Sequence, residues 1–333
     1  MSENNSHIWR VVFSTVAMTV SLALFYSAGP ALRTRTFHFD YKVDVENIPA
    51  GAKHIDVWVP IPHGDAHQQI TNLRVHSAYP SAIGQATEGN TMLHIGRDNP
   101  NEPFTVTISL DAHRQEHVQS RLSGGPRLER DEDPVALAQY LRPDRMVPLH
   151  PRIRALARVV VEKANPHTDV EMARAIYNHV VSTVKYDKSG KGAGRGDLYY
   201  VCEERRGDCA DFGAIVIGYS RAVGIPARFA IGFALPAQRG ERKIPEYHCW
   251  AEFYAKGIGW VPVDAAAAAQ YPSTREYFFG AQDENRIELT NGRDLVLTPK
   301  QRGGELNYFV YPYAEVDGKE FDGVRYEVRF RDL

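Results

Sequence analysis

Cysteine is scarce in this chain, three residues in 333, and neither sign of charge is in excess: 39 Lys and Arg stand against 41 Asp and Glu, for a formal net charge of −2. So balanced a surface draws the chain neither to nucleic acid nor to acidic polymers, and no nucleic-acid partner is expected. Cys202, Cys209 and Cys249 are odd in number, so one thiol stays free or pairs elsewhere. A Cys202–Cys249 bridge that leaves Cys209 reduced and a set of unpaired buried thiols both stay open at this level. There is no internal repeat, and His54, His63, His67 and His76 are scattered without metal-ligand spacing, so neither a metal nor a cofactor is expected. The glycine-rich residues 189–197 lack the Gly-Lys-Ser/Thr ending of a phosphate-cradling loop; they read as a flexible loop near a site mouth.

Composition is otherwise that of a globular chain, 43% hydrophobic and 11% aromatic, long enough for about two domains. Residues 11–32 hold no Asp, Glu, Lys or Arg and are bounded by Arg10 and Arg33, a run of membrane-spanning length. Residues 1–34 are therefore expected to be a signal peptide or an uncleaved membrane anchor, which would put the protein in the cell envelope, anchored or exported. From 35 to 118 apolar residues alternate with polar ones, as in Phe37, Phe39, Tyr41, Val43 and Val45, in Ile55, Val57, Val59 and Ile61, and in Phe104, Val106, Ile108 and Leu110. Period two between Pro, Gly and Asn clusters predicts a β-sandwich domain. Residues 119–151, rich in proline and charge, read as a linker holding one helix at 135–141. Helical spacing follows in Ile153, Leu156, Ala157 and Val160, and again in Val170, Ala173, Val180 and Val184, opening a catalytic core at 152–270. Residues 271–333 are predicted to be a β-rich extension of the core sheet.

Chemistry concentrates in the core. Gly207-Asp208-Cys209 precedes an apolar run at 209–223 with Phe212, Ile215, Val216 and Tyr219 on one side, and Gly224 and Pro226 end it. Asp208 then caps a helix whose first turn holds Cys209, where free backbone N–H groups favour a thiolate and can donate to an oxyanion. Residues 247–255 read as a strand with His248, Trp250, Glu252 and Tyr254 on one face and Cys249 on the other. A turn near Lys256 brings the chain back to Asp264, sixteen residues from His248, and that even separation puts the two side chains on one face and nearly opposite each other. Asp264 can then hold one imidazole nitrogen while the other faces Cys209. Tyr186, Tyr199 and Tyr200 are candidate side-chain oxyanion donors by position. A zinc site from Cys202, Cys209, His248 and Cys249 has the right ligand types but poor spacing, because neighbours on a strand diverge.

In the blocks Gly207-Asp208-Cys209-Ala210-Asp211-Phe212, Gly224-Ile225-Pro226-Ala227-Arg228, Tyr247-His248-Cys249-Trp250-Ala251-Glu252 and Gly259-Trp260-Val261-Pro262-Val263-Asp264 the chain resembles the transglutaminase-like superfamily of papain-like cysteine enzymes, in particular its exported bacterial and archaeal members. The resemblance implies an α+β fold: a papain-like transglutaminase core, its cysteine helix packed on an antiparallel sheet, preceded here by the β-sandwich domain and the N-terminal hydrophobic helix. It further implies that Cys209 is the nucleophile, His248 the general base and acid, and Asp264 its orienter. The activity so implied is a cysteine-dependent hydrolase or acyl-transferase acting through a thioester on amide bonds of a protein or peptide; a silent binding or scaffold module on the same fold is the alternative. Residues 265–269, all alanine, depart from the more polar sequence expected after the family's aspartate.

Overall fold

Strand periodicity translates directly into sheets. In the computed structural model, which describes residues 31–333, the strand Thr34–Val45 buries Phe37, Phe39, Tyr41, Val43 and Val45 completely, while most of its intervening residues stay half-buried or exposed. Phe104–Gln115 buries Val106, Ile108, Leu110 and Ala112 in the same way, and His54–Ile61 buries Ile55, Val57, Val59 and Ile61 on one face and Trp58 and Pro60 on the other, Trp58 in a smaller cluster with Met92, Leu295, Leu297 and Phe309. Successive strand side chains point to opposite faces, so each strand gives one face to the core. Two five-stranded antiparallel sheets result. One runs Glu241–Lys243, Val324–Asp332, Thr34–Val45, Phe104–Gln115, Gln68–Ser77; the other runs Lys319–Glu320, Tyr313–Val316, His54–Ile61, Thr91–Asp98, Ala82–Gln85.

These sheets draw on both ends of the described chain. Val324–Asp332 pairs in register with the first strand, from Phe37 opposite Asp332 to Val45 opposite Val324. The segment predicted to extend the core sheet thus divides: Arg286–Asn291 joins that sheet, whereas Tyr313–Val316 and Val324–Asp332 complete the sheets begun at residues 34–61. The physical reason is edge pairing, since Thr34–Val45 would otherwise expose a row of unpaired backbone groups on one side, and Val328 and Phe330 would have no core to enter. Residues Leu32–Leu333 accordingly make one compact unit. The hydrophobic segment predicted at the N-terminus lies outside the described residues, apart from its last two, and among the described residues no helix is long and apolar enough to cross a membrane.

The site is built on a third, four-stranded antiparallel sheet, ordered Gly259–Val263, Tyr247–Ala255, Ala227–Ala234, Arg286–Asn291. The helix Cys209–Ala222 lies against Tyr247–Ala255 and also touches Pro151–Glu162, Asp169–Thr183, Leu198–Glu204 and Ala265–Gln270. Every one of its residues is buried, where the sequence suggests one inward face; its apolar side chains are met on one side by the sheet and on the others by helices. The surrounding helices face it with Ile153, Ala157 and Val161, and with Ala173, Ile176, Tyr177 and Val180. The predicted linker is bound to the core as well: its helical part is Pro134–Leu137 followed by Ala138–Leu141, Glu132 accepts a hydrogen bond from Trp260 at 2.8 Å, and its backbone N–H donates to the Tyr254 hydroxyl at 2.8 Å.

Candidate active site

A carboxylate pair fixes the head of the cysteine helix. Asp208 is the N-cap, accepting the Ala210 N–H at 2.8 Å, and the Asp211 carboxylate reaches back to the Asp208 N–H at 3.0 Å, so the two form a capping box. Asp211 also accepts the N–H groups of Gly194 at 2.7 Å and Gly196 at 2.9 Å, which ties the glycine-rich loop to the helix. The loop amides of Gly194 and Gly196 are thus satisfied by a side chain of the protein itself. Burial pushes the Asp211 carboxyl up to about 6, against the pull of these donors. Gly207 is required for close approach, because a Cβ there would stand 2.4 Å from that of Asp211. Tyr247 closes the cluster, its hydroxyl donating to the second Asp208 oxygen at 2.6 Å.

Cys209 follows immediately, buried, and close enough to His248 and Cys249 for both to lower its thiol pKa. His248 Nε2 lies 2.6 Å from Asp264 Oδ2, leaving Nδ1 for the sulfur. Asp264 is not a strand residue. The register of Gly259–Val263 on Tyr247–Ala255, turned through a left-handed Gly257 with φ 71°, pairs Val263 with Ala251; Asp264 follows as the N-cap of Ala265–Gln270, accepting the Ala267 N–H at 2.9 Å. Continued by one residue, that register sets Asp264 beside Trp250 and diagonal to His248, not opposite it as hairpin parity alone suggests. Arg286, from the far edge strand, donates to the same Oδ2 at 3.3 Å and lies over the Trp250 ring.

These contacts set the charges. Burial raises the Asp264 carboxyl, but the charge and hydrogen bond of His248, then Arg286 and the Ala267 N–H, bring it down to about 2. Burial lowers His248, and the Asp264 carboxylate overcomes this and lifts the imidazole to about 10. Burial likewise raises Cys209, while hydrogen bonds with Cys249 and His248 and the imidazolium charge bring it down to about 7. Cys249 moves the opposite way, well above its usual range, through burial and the neighbouring Cys209. These directions favour an imidazolium with a thiolate, the pairing in which sulfur is nucleophilic.

One sequence expectation changes. Cys249, assigned to the face away from the site, is a direct neighbour of Cys209, because the head of the helix packs over the strand end where both faces come within reach. All three cysteines are free; Cys202 lies apart, its sulfur 3.6 Å from the Tyr219 hydroxyl. Among the described residues no group of three or more His, Cys, Asp or Glu side chains is placed to hold a metal ion. Of the tyrosines, Tyr186 lines a cleft of about 490 Å³ with Tyr247, His248 and Arg286, and burial and the Cys209 charge raise its phenol. Tyr199 is engaged with His150 Nδ1 at 2.7 Å, and Tyr200 packs against Gly190 and Gly192. Arg286 and Tyr247 were not singled out from sequence; Asp211 was legible in principle, three residues after a capping Asp.

Residues 154–265 match the Transglutaminase-like superfamily. A Haemophilus influenzae protein described only as uncharacterized is 25% identical over 312 residues, 81% of this chain and 83% of that one. The crystal structure of a candidate cysteine protease from Cytophaga hutchinsonii is 15% identical, covers 91% of this chain and 93% of its own, and superposes with a TM-score of 0.58, a likeness of fold. The periplasmic domain of TgpA from Pseudomonas aeruginosa aligns over 71% of this chain and 90% of its own at 17% identity, with a TM-score of 0.37.

Proposed function

Residues 154–265 are a transglutaminase-like domain, and from that premise we propose that the protein is a cysteine-dependent hydrolase or acyl-transferase acting on amide bonds of a protein or peptide in the cell envelope. The observation that carries the reading is one imidazole held by Asp264 at 2.6 Å whose charge also lowers the Cys209 thiol. The Cys209 thiolate adds to the carbonyl carbon, forming the C–S bond of a tetrahedral intermediate. As the C–N bond breaks, His248 passes its Nδ1 proton to the departing amine, leaving a thioester. Water or a second amine then adds to the thioester while His248 takes its proton, and expulsion of the thiolate restores the ion pair. Asp264 holds the ring and stabilises its charge, and Arg286 holds Asp264. Tyr186, in the cleft beside His248, is the tyrosine best placed to donate to the oxyanion. The envelope location draws on the uncharged run at 11–32.

The test is mass spectrometry of a peptide library incubated with the full-length protein, with and without an added primary amine. Cleaved or deamidated products, or amine adducts, that vanish in Cys209→Ala are the expected result, and the ratio of the two product classes identifies the acceptor. Wild-type protein that yields neither, while iodoacetamide labels Cys209 no faster than Cys202 and Cys249, would leave the binding-module reading in its place.

A further inference from the structure

Where the N-terminal sheet meets the core sheet, a second cavity of about 570 Å³ opens, within the roughly 300–1,000 Å³ typical of small-molecule sites. Its walls come from the turn at 63–67, the end of Phe104–Gln115, and the strands bearing Glu252 and Glu288. Arg114 is 1% exposed, and its Nε and Nη1 have no hydrogen-bond partner among the described residues. Nη1 stands 3.7 Å from Asp65, too far for a hydrogen bond, and only Nη2 is engaged, with Gln282 at 3.3 Å. Gln282 in turn leaves its amide nitrogen unpartnered. A buried guanidinium with two unpartnered nitrogens is costly, and a carboxylate oxygen is the acceptor that best answers its charge.

Glu288, across the cavity, presents the complementary deficit. Its side chain accepts the Asn291 amide at 2.7 Å, and His63 Nε2 stands 3.9 Å from it, beyond hydrogen-bond reach. Glu252 is no help to it, being itself a carboxylate already paired with Arg228 at 2.6 Å. Burial, then the charges of Glu252 and Asp65, push Glu288 up to about 7 against the pull of Arg114. The remaining imidazoles, His67 and His117, stack at 3.7 Å and are held below their usual range, chiefly by burial, so they bring no compensating positive charge. Arg114 and Glu288 thus line one cavity without bonding each other, one short of an anion and the other short of a cation.

We propose that this cavity binds a small zwitterion of the amino-acid or short-peptide class, its carboxylate on Arg114 and Gln282 and its ammonium on Glu288. The site is separate from Cys209, and the inference does not depend on the proposed reaction. Calorimetric titration of the full-length Cys209→Ala protein, in which no turnover contributes heat, with alanine, dialanine and trialanine tests it. At least one is expected to bind at submillimolar concentration, and N-acetylation or C-amidation of that ligand is expected to weaken it tenfold or more. Glu288→Gln, close to isosteric, should erase the discrimination against the acetylated form, and Arg114→Gln that against the amidated form. No heat at millimolar concentration, equal binding of the capped forms, or discrimination unchanged in folded Glu288→Gln would each overturn the proposal and leave a water-filled void.

Discussion

Cys209 owes its lowered pKa to two neighbours, of which only one was foreseeable. Against the cost of burial, Cys249 and His248 both lower it. Cys249→Ala is therefore expected to move the midpoint of iodoacetamide alkylation at Cys209 upward from about 7, with His248 unchanged; an unshifted midpoint would mean that Cys249 only packs. The reaction itself needs thiolate and imidazolium together. Its rate should rise as pH passes about 7, where Cys209 loses its proton, and fall as pH passes about 10, where His248 loses its own. Asp264, at about 2, stays ionised across that window and shapes neither limb. A profile of kcat/KM against pH, run with Cys209→Ala as blank, checks both limbs.

At the scale of elements, the cysteine helix is held at its head by side chains rather than by its own propensity. Asp211→Ala leaves three N–H groups, those of Gly194, Gly196 and Asp208, without their acceptor, and is expected to destabilise the protein by about 1–3 kcal/mol. Gly207→Ala should do similar damage by forcing Asp211 aside. Urea midpoints of the two variants measure this, and a wild-type midpoint in Asp211→Ala would show that solvent replaces the carboxylate. Local chemistry of this kind is what sequence displays well: the cap at Asp208, the helix after it and the hairpin turn at Gly257 each depend on residues a few positions apart. His248 and Asp264 could be brought together on the same grounds, since one short turn separates their strands. Their diagonal placement could not, because it arises where the chain leaves the strand to cap the next helix. Arg286 was out of reach for a different reason: it lies 22 residues beyond Asp264 on a strand at the opposite edge of the sheet, and nothing in its flanking residues marks it.

Over the whole molecule, the strands of residues 34–118 were legible one by one from their alternation, but their partners were not. Pairing of Thr34–Val45 with Val324–Asp332 spans nearly the entire described chain, and a period-two pattern says which face is buried without saying which strand lies alongside. The same limit hid the second cavity, whose walls come from stretches that no local motif connects. Since one continuous apolar core runs from Phe37 through Cys209 to Phe330, heat should unfold residues 32–333 in a single calorimetric transition. Removing residues 324–333 should expose the long side of Thr34–Val45 and send the protein into the insoluble fraction rather than yield an active truncated enzyme.

The pairing of first strand with last also orders events during synthesis. Thr34–Val45 emerges from the ribosome early yet must wait for Val324–Asp332 before one of its flanks is satisfied, so the growing polypeptide carries a sticky ribbon for most of its translation time. A chain interrupted before Val324 would therefore be read out as aggregation, so solubility reports whether synthesis has passed that strand.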